Sequence, residues 1–340
     1  MTLTLLITLF GCSKDAPSGF GGEGDVNTTP TADDTGTAPT GDPEWSEYVS
    51  ELPQGMFTGA FSRNDELLIA GGEINGVGKG FVAHLNGDDF CIEEDVADHA
   101  LWWLHGDTPD RFYASGEKGT ILRYEDDTWH DESIDGGVLY GIVDTGERAW
   151  AVRGNGTIWT RDDTGWWQYT EGLSQLFKTW CASEDQCVFV GANRIYTMDG
   201  DDWTETSIGD NQVWTCRGRS WEDIWCVGGD RGPVMYNFNG SEWLEIDASA
   251  AGVPMFGVWV DNESDEIWVG GAQGYTARYL DGEFEAQVPL TSEAFHAVWK
   301  HKGELFFVGG NLGASDGDYH GTIVRYGEDL GTITPTVCDK

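Results

Sequence analysis

One sequence unit recurs seven times between residues 54 and 326, and this repetition constrains the fold more than any other feature of the chain. In its clearest copy, WVGGAQGYTARYLDGEF at 268–284, a short apolar strand, a glycine turn, a second strand and an Asp-Gly turn follow one another. The aromatic residues that open the seven units are Phe57, Trp102, Tyr140, Phe177, Trp214, Phe256 and Phe295. A period near 40 residues with about four short strands is typical of a β-propeller, in which each period forms one blade.

A second set of aromatic residues follows the Asp-Gly-type turns, and the last unit lacks its member. The set is Phe90, Trp129, Trp166, Trp203, Trp243 and Phe284. After Tyr326 the chain reads GEDLGT, whereas Trp45 stands in the matching setting near the N-terminus. We therefore predict that 45–52 is the outer strand of the last blade, whose inner strands come from 294–326. The predicted fold is an all-β, seven-bladed propeller of four-stranded antiparallel blades, closed by this N-terminal outer strand.

Four units carry a glycine pair, and four carry a tyrosine shortly before the position of the second aromatic set. The pairs are Gly71-Gly72, Gly228-Gly229, Gly270-Gly271 and Gly309-Gly310, and the tyrosines are Tyr124, Tyr236, Tyr279 and Tyr326. In this pattern the chain resembles kelch and related propeller repeats. The resemblance covers nearly all of residues 54–326 and implies a propeller, while WD-repeat signatures are absent.

The first 43 residues read as an export signal followed by a tether. Residues 1–12 contain a short apolar run that ends in Leu9-Phe10-Gly11-Cys12, which resembles the bacterial lipobox and makes Cys12 the expected site of lipidation. Residues 13–43 have little to bury and are expected to stay disordered, and 44–340 form the propeller. We expect a lipoprotein of the outer membrane or cell surface. The alternative is an ordinary secretory signal and a periplasmic or secreted protein.

The chain is strongly acidic, with 59 Asp and Glu against 19 Lys and Arg, a net charge of −40 and a pI near 4.1. Such a field repels nucleic acid and anionic membrane surfaces, so we expect no nucleic-acid partner and membrane contact only through the lipid. The expected partners are basic protein surfaces, neutral glycans or cations, and a monomer is expected. The alternative is that the acidic surface only keeps the protein soluble.

Six cysteines remain besides Cys12, an even number that favours disulfides in an exported chain. Cys181 and Cys187 flank a turn between two strands, and Cys216 and Cys226 flank the matching turn of the next unit. Both pairs occupy the same cross-strand register when the two units are aligned, so we predict these two disulfides. Cys91 and Cys338 form the third by elimination, since the first and last blades are neighbours. A cysteine metal site is the alternative, and no ligand spacing with histidine supports it.

Two units differ from the others in the length of the loop between the second and third strands, 71–80 in the first and 309–321 in the last. If the ring closes, these loops lie side by side, and long propeller loops are where function concentrates. The candidate binding residues are Glu73, Asn75, Lys79, Asn311 and Tyr319. A weak candidate Ca²⁺ site, the only cofactor that we consider, consists of Asp316, Asp318 and His320, helped by Glu73 or Asn75. The alternative is a solvated acidic loop.

The sequence contains no catalytic motif for a nucleophile elbow, a zinc protease helix or a phosphate loop. His296 and His301 lie on or near an inner strand, where one of them could reach the central channel. We predict a binding or scaffold module for a protein or glycan partner, not an enzyme. The alternative is a glycoside hydrolase or lyase with its site at the channel mouth, which a deep central pocket with converging arginine, tyrosine and carboxylates would favour.

Overall fold

The computed structural model describes residues 43–76, 78–87, 89–230, 232–312, 314, 318–327 and 331–338. The predicted signal peptide, Cys12 and the tether as far as residue 42 therefore lie outside the described residues. In the described chain the only helices are 3-10 turns at Glu117–Gly119, Ser249–Ala251 and Ala272–Gly274. None of them is long and apolar enough to span a membrane.

The strands follow one another in the order expected for repeated up-and-down units. In chain order they are β1 Glu44–Leu52, β2 Met56–Arg63, β3 Glu66–Gly72, β4 Gly80–Asn86, β5 Asp89–Ala97, β6 Leu101–Thr108, β7 Arg111–Gly116, β8 Ile121–Glu125, β9 Thr128–Asp131, β10 Leu139–Asp144, β11 Ala149–Arg153, β12 Thr157–Asp162, β13 Gly165–Thr170, β14 Leu176–Cys181, β15 Gln186–Asp199, β16 Asp202–Ser220, β17 Asp223–Gly228, β18 Val234–Phe238, β19 Trp243–Ile246, β20 Met255–Val260, β21 Ile267–Gly271, β22 Thr276–Leu280, β23 Glu283–Ala286, β24 Ala294–His301, β25 Glu304–Gly310, β26 Gly321–Gly327 and β27 Thr336–Val337.

These strands form six hydrogen-bonded sheets, so the predicted count of seven separate blades is wrong. Four sheets have four strands, one has five, and one, β14–β19, has six. The six-stranded sheet contains two neighbouring sequence units, because β16 runs unbroken through both. Its first part pairs with β15, as at Asp199↔Asp202, and its second part pairs with β17, as at Val213↔Gly228. The coarser prediction of an all-β propeller with four-stranded antiparallel blades is confirmed.

The innermost strands surround a central channel. Strands β2, β6, β10, β14, β16, β20 and β24 contact one another in this order, and β24 contacts β2 again. Each of them carries a bulge, for example between Leu176 and Lys178 near the start of β14 and between Val213 and Thr215 within β16. A bulge shifts the alternation of side chains by one residue. Residues on both sides of each bulge can therefore face the channel.

The ring is closed by the N-terminal strand, as predicted. Strand β1 is the outer strand of the sheet β1-β26-β25-β24 and pairs antiparallel with β26. Trp45 lies opposite Tyr326, with 4.8 Å between the two ring centroids, and also packs 5.2 Å from Phe307. The N-terminal strand thus supplies the aromatic residue that the last sequence unit lacks.

A C-terminal strap, residues 331–338, crosses the same seam. The backbone N–H of Ile333 donates to the carbonyl of Tyr48 in β1 at 2.8 Å, and β27 pairs in parallel with β5. The strap ends in a disulfide between Cys91 and Cys338. The structure also contains the disulfides Cys181–Cys187 and Cys216–Cys226. In both hairpins the paired cysteines are direct cross-strand partners, which is the shared register that the sequence indicates.

The second aromatic set packs between and within blades. Trp243 donates from its indole N–H to Oγ1 of Thr197 in the preceding sequence unit at 3.0 Å, and Trp166 lies 6.0 Å from Tyr113, also in the preceding unit. Phe284 packs 4.9 Å from Tyr279 in its own blade. These contacts give the set a structural role in the scaffold.

Candidate functional site at the mouth of the central channel

An aromatic collar surrounds the channel at the end where the inner strands begin. Its members are Trp102, Tyr140, Phe177, Trp214, Phe256 and His296, which contact one another in a closed cycle. The shortest distance between ring centroids is 4.2 Å, from Phe177 to Trp214, and the longest is 5.9 Å. Because neighbouring rings make stacked and edge-on contacts with one another, they form a continuous aromatic layer at this end of the channel.

His296, and not the predicted Phe295, completes the collar in the last unit. Phe295 and Phe57 are fully buried in the core between the sheets. The ring of His296 stacks 5.7 Å from Phe256. Burial, together with the charge of Lys178, lowers the pKa of His296 to about 3, so this histidine is neutral at ordinary pH. His301, the other predicted channel candidate, instead contacts Ser62 through its Nδ1 at 3.1 Å.

A buried lysine lies next to the collar. The ammonium group of Lys178 donates to the backbone carbonyls of Tyr140 and Trp102 and lies 4.1 Å from the ring centroid of Trp103. Burial and the charge of Arg217 lower the pKa of Lys178 well below its ordinary value. Two basic side chains, Lys178 and Arg217, thus lie inside the channel, although the protein as a whole is strongly acidic.

The opposite end of the channel opens into a cavity of about 1020 Å³, which we call the mouth cavity. Its wall consists of inner-strand side chains, namely Phe61, His105, Trp180, Arg217, Trp259 and Trp299. Its rim consists of the ends of first strands and the turns that follow them, and it carries the carboxylates Asp65, Asp107, Asp144, Glu147, Glu184 and Asp185. A wall of apolar rings and one arginine thus lies below an acidic rim.

Arg217 is the centre of this cavity. Its guanidinium carbon lies 3.9 Å from the ring centroid of Trp299, and 5.6 and 5.8 Å from those of Trp103 and Trp259. Its Nε and Nη2 are buried and have no hydrogen-bond partner among the described residues. Burial lowers the pKa of Arg217 to about 9. The neighbouring Arg219 differs, because it donates to Asp223 and to the backbone carbonyls of Asp261 and Ser264.

Hydrogen bonds fix the orientation of the cavity wall. The indole N–H of Trp299 donates to Oγ of Ser62 at 2.8 Å, and Ser62 in turn contacts His301. His105 accepts a hydrogen bond from the backbone N–H of Asp144 at 3.1 Å. Burial and the charge of Arg217 lower the pKa of His105 to about 3. The wall is therefore pre-organised, which reduces the entropy that a bound ligand would have to offset.

Two rim carboxylates have pKa values that burial raises. Asp144 is 3% exposed and pairs with Arg111 at 3.2 Å, and Asp107 is partly buried nearby. Burial disfavours the charged form of both groups, whereas Arg111 opposes the shift. Asp107 and Asp144 are the described carboxylates of the mouth cavity whose pKa values are raised.

The loops 71–80 and 309–321 meet at the collar end, on the other side of the molecule from the mouth cavity. Asn75 donates to the hydroxyl of Tyr319 at 2.5 Å, and both Tyr319 and Ile74 are buried. Asn311 donates to the backbone carbonyl of Asp318 and accepts from the backbone N–H of His320. The prediction that these loops lie side by side is confirmed, and they form a packed junction.

The remaining predicted residues lie around this junction. Lys79 pairs with Asp95 at 3.1 Å, and the carbonyl of Glu73 accepts from the backbone N–H of Gly78. His320 lies 3.3 Å from Glu293, and Asp316 is outside the described residues. Among the residues that are described, no three His, Cys, Asp or Glu side chains form a metal cluster. The Ca²⁺ site stays a prediction.

Sequence reasoning missed the residues of the mouth cavity. Apart from Phe61, each wall residue lies three positions after the collar residue of its own strand, as Trp180, Arg217 and Trp299 do. Across the six units that have a collar residue, this offset holds large rings apart from Val143, and Arg217 is the one charged interruption of the series. That interruption is the signal that could have identified the site.

No protein-family model matches the sequence, and no curated protein matches it. Solved structures match it in fold. "YCF48 bound to D1 peptide" has a TM-score of 0.64 and 15% identity, and the match covers 86% of this chain and 100% of that one. "YCF48 from Cyanidioschyzon merolae" has a TM-score of 0.62 and 13% identity, and the match covers 83% of this chain and 98% of that one. The WD40 β-propeller domain of Doa1 has a TM-score of 0.64 and 9% identity, and the match covers 85% of this chain and 98% of that one. At these identities the matches show a propeller fold alone.

Proposed function

We propose that this protein is a non-enzymatic binding module that holds a protein partner at the mouth cavity. The observation that carries the proposal is a cavity of about 1020 Å³ with a pre-organised aromatic wall around Arg217, whose Nε and Nη2 have no hydrogen-bond partner among the described residues. Concave sites with aromatic walls and a few polar groups are typical of ligand binding. One structure of similar fold is described as bound to a peptide, which supports a protein partner over a glycan.

We further propose that the propeller is exported and anchored through a lipid on Cys12, at the outer membrane or cell surface. The support is the sequence alone, namely the apolar run before Cys12 and the polar segment 13–43 after it. In this arrangement the tether would give the mouth cavity freedom to reach a partner. The kelch-like identity of the repeats belongs to the same proposal.

Site-specific photo-crosslinking tests which end of the channel holds the partner. A photoreactive amino acid replaces Asn262, an exposed residue of the mouth cavity, or Lys79 at the loop junction, in the full chain in the cells that produce it. We expect one discrete protein adduct, identified by mass spectrometry, from position 262 and none from position 79. An adduct from position 79 alone, or the same adduct from both positions, would contradict the proposal.

A second candidate function is carbohydrate turnover at the same cavity. The observation that favours it is the combination of four indole rings with Asp107 and Asp144, whose pKa values are raised by burial. None of the described residues that line the cavity is a tyrosine, which weakens this candidate. Turnover of a glycan panel by the wild type, lost in Asp107→Asn, would establish it in place of the binding role.

A further inference from the structure

We propose that Arg217 anchors a carboxylate of the bound partner, supplied either by the C-terminus of a peptide or by an Asp or Glu side chain. This inference rests on the proposed function and names the chemistry that the mouth cavity recognises. Three independent features of the cavity lead to it.

The first feature is the missing counter-ion. The chain has about three acidic residues for every basic one, 59 against 19, yet Arg217 forms no ion pair with any described carboxylate. Arg219, only two residues away, pairs with Asp223 and lies 3.6 Å from Asp265. Arg217 is partly exposed, but its Nε and Nη2 are buried without a partner among the described residues, which is costly to stability and typical of sites that bind a ligand.

The second feature is the geometry around the guanidinium. Trp299 covers one face of the group at 3.9 Å, and Ser62 holds this indole in place. The planar edge of a guanidinium is the donor arrangement that matches a carboxylate. Because the surrounding wall is apolar, a charge-assisted hydrogen bond is stronger here than in water.

The third feature is the acidic rim. Glu147 and Asp185 are exposed at the entrance, and the whole protein carries a charge of −40. A small free anion is repelled by this field, whereas a peptide with basic residues next to its carboxylate is attracted. The cavity therefore selects a zwitterionic peptide segment, whose carboxylate binds Arg217 in the wall and whose cationic side chains lie at the rim.

Pools of short random peptides test this inference on the immobilised full chain. All pools carry two lysines, and they differ in one group: a free C-terminus without Asp or Glu, an amidated C-terminus with one Asp, or an amidated C-terminus without acids. We expect the wild type to retain one of the carboxylate pools about tenfold to a hundredfold more than the acid-free pool. The pool that is retained identifies the source of the carboxylate.

The variants are Arg217→Gln and, as a control with the same loss of charge, Arg194→Gln on the exposed surface. Arg217→Gln is expected to lose the preference for carboxylates, and Arg194→Gln to keep it. Since Arg217→Gln removes an unpaired buried charge, its melting temperature is expected to equal or exceed that of the wild type. A purely structural arginine would instead lower it.

Equal retention of the acid-free pool, or a preference that survives in Arg217→Gln, would overturn the inference and leave the binding module intact. Retention of no pool by the wild type would also overturn it. In that case the crosslink from position 262 still decides independently whether the cavity holds a partner.

Discussion

The two ends of the central channel are built from the same strands, yet they differ in what the repeated positions hold. At the collar, six rings contact one another in a closed cycle, and the neighbouring Lys178 donates to backbone carbonyls. At the mouth, three positions further along, large rings surround Arg217, and no carboxylate of the described chain pairs with it. The repeated aromatic residues stabilise the scaffold, whereas Arg217, which departs from the repeat, marks the candidate site.

The strongest test of this contrast removes a collar ring. Phe177 is 5% exposed and stacks 4.2 Å from Trp214, so Phe177→Ala is expected to lower the free energy of unfolding by about 3–5 kcal/mol. Urea denaturation measures the change. Trp167→Ala, at an outer-strand ring that is 39% exposed, is the control and is expected to cost about 1 kcal/mol or less. Equal losses from the two variants would show that the collar is not a packed layer.

A fall in pH is expected to lower the free energy of unfolding through one histidine at each end of the channel. His105 at the mouth and His296 in the collar have pKa values of about 3 in the folded protein, below about 6.5 in an unfolded chain. The unfolded chain therefore binds more protons between these values, and the free energy of unfolding decreases as the pH falls through this window. Each histidine is expected to remove about 2 kcal/mol between pH 6.5 and about pH 5.

Replacement of one histidine separates the two ends. His105→Gln and His296→Gln are each expected to flatten the pH dependence of unfolding by up to about 1.4 kcal/mol per pH unit, measured by urea denaturation. If only one of the two variants changes the slope, the other histidine is protonated or solvated in the folded protein, and the matching electrostatic account of that end is wrong.

The smallest effect is expected at the loop junction above the collar. Tyr319→Phe removes the hydroxyl that accepts from Asn75 at 2.5 Å and should cost about 1 kcal/mol. It should not change the crosslink from position 262, because the junction lies at the opposite end of the channel. Tyr169→Phe, on an exposed ring, is the control for stability. Loss of the mouth crosslink in Tyr319→Phe would show that the two ends act together.

Much of the fold could be predicted from the sequence because it depends on repetition and local register. The spacing of aromatic residues indicates four-stranded blades, the matched cysteine positions indicate two hairpin disulfides, and Trp45 indicates the closing strand. The count of blades could not be predicted, because it depends on whether hydrogen bonds continue across a boundary. At 209–212 the sequence GDNQ reads as a turn, and β16 nevertheless runs through it.

The site could not be predicted for a related reason. Each inner strand has a bulge, as between Val213 and Thr215, and the bulge decides which later side chains face the channel. Without its position, Arg217 reads as one more strand residue. Loop length is the signal that the sequence does offer. It indicates a site at 71–80 and 309–321, where Asn75 donates a hydrogen bond to Tyr319.

The closing strand also has a consequence for the order in which the chain folds. Trp45 pairs with Tyr326, and the strap joins Cys91 to Cys338 across a separation of 247 residues. Contacts between such distant residues form slowly, because a long loop must close first. During synthesis, β1 has no partner strand until β26 emerges, so the nascent chain exposes the edge of β1 that later pairs with β26. A chaperone that shields such edges would have its greatest effect on this protein just before the last sheet is complete.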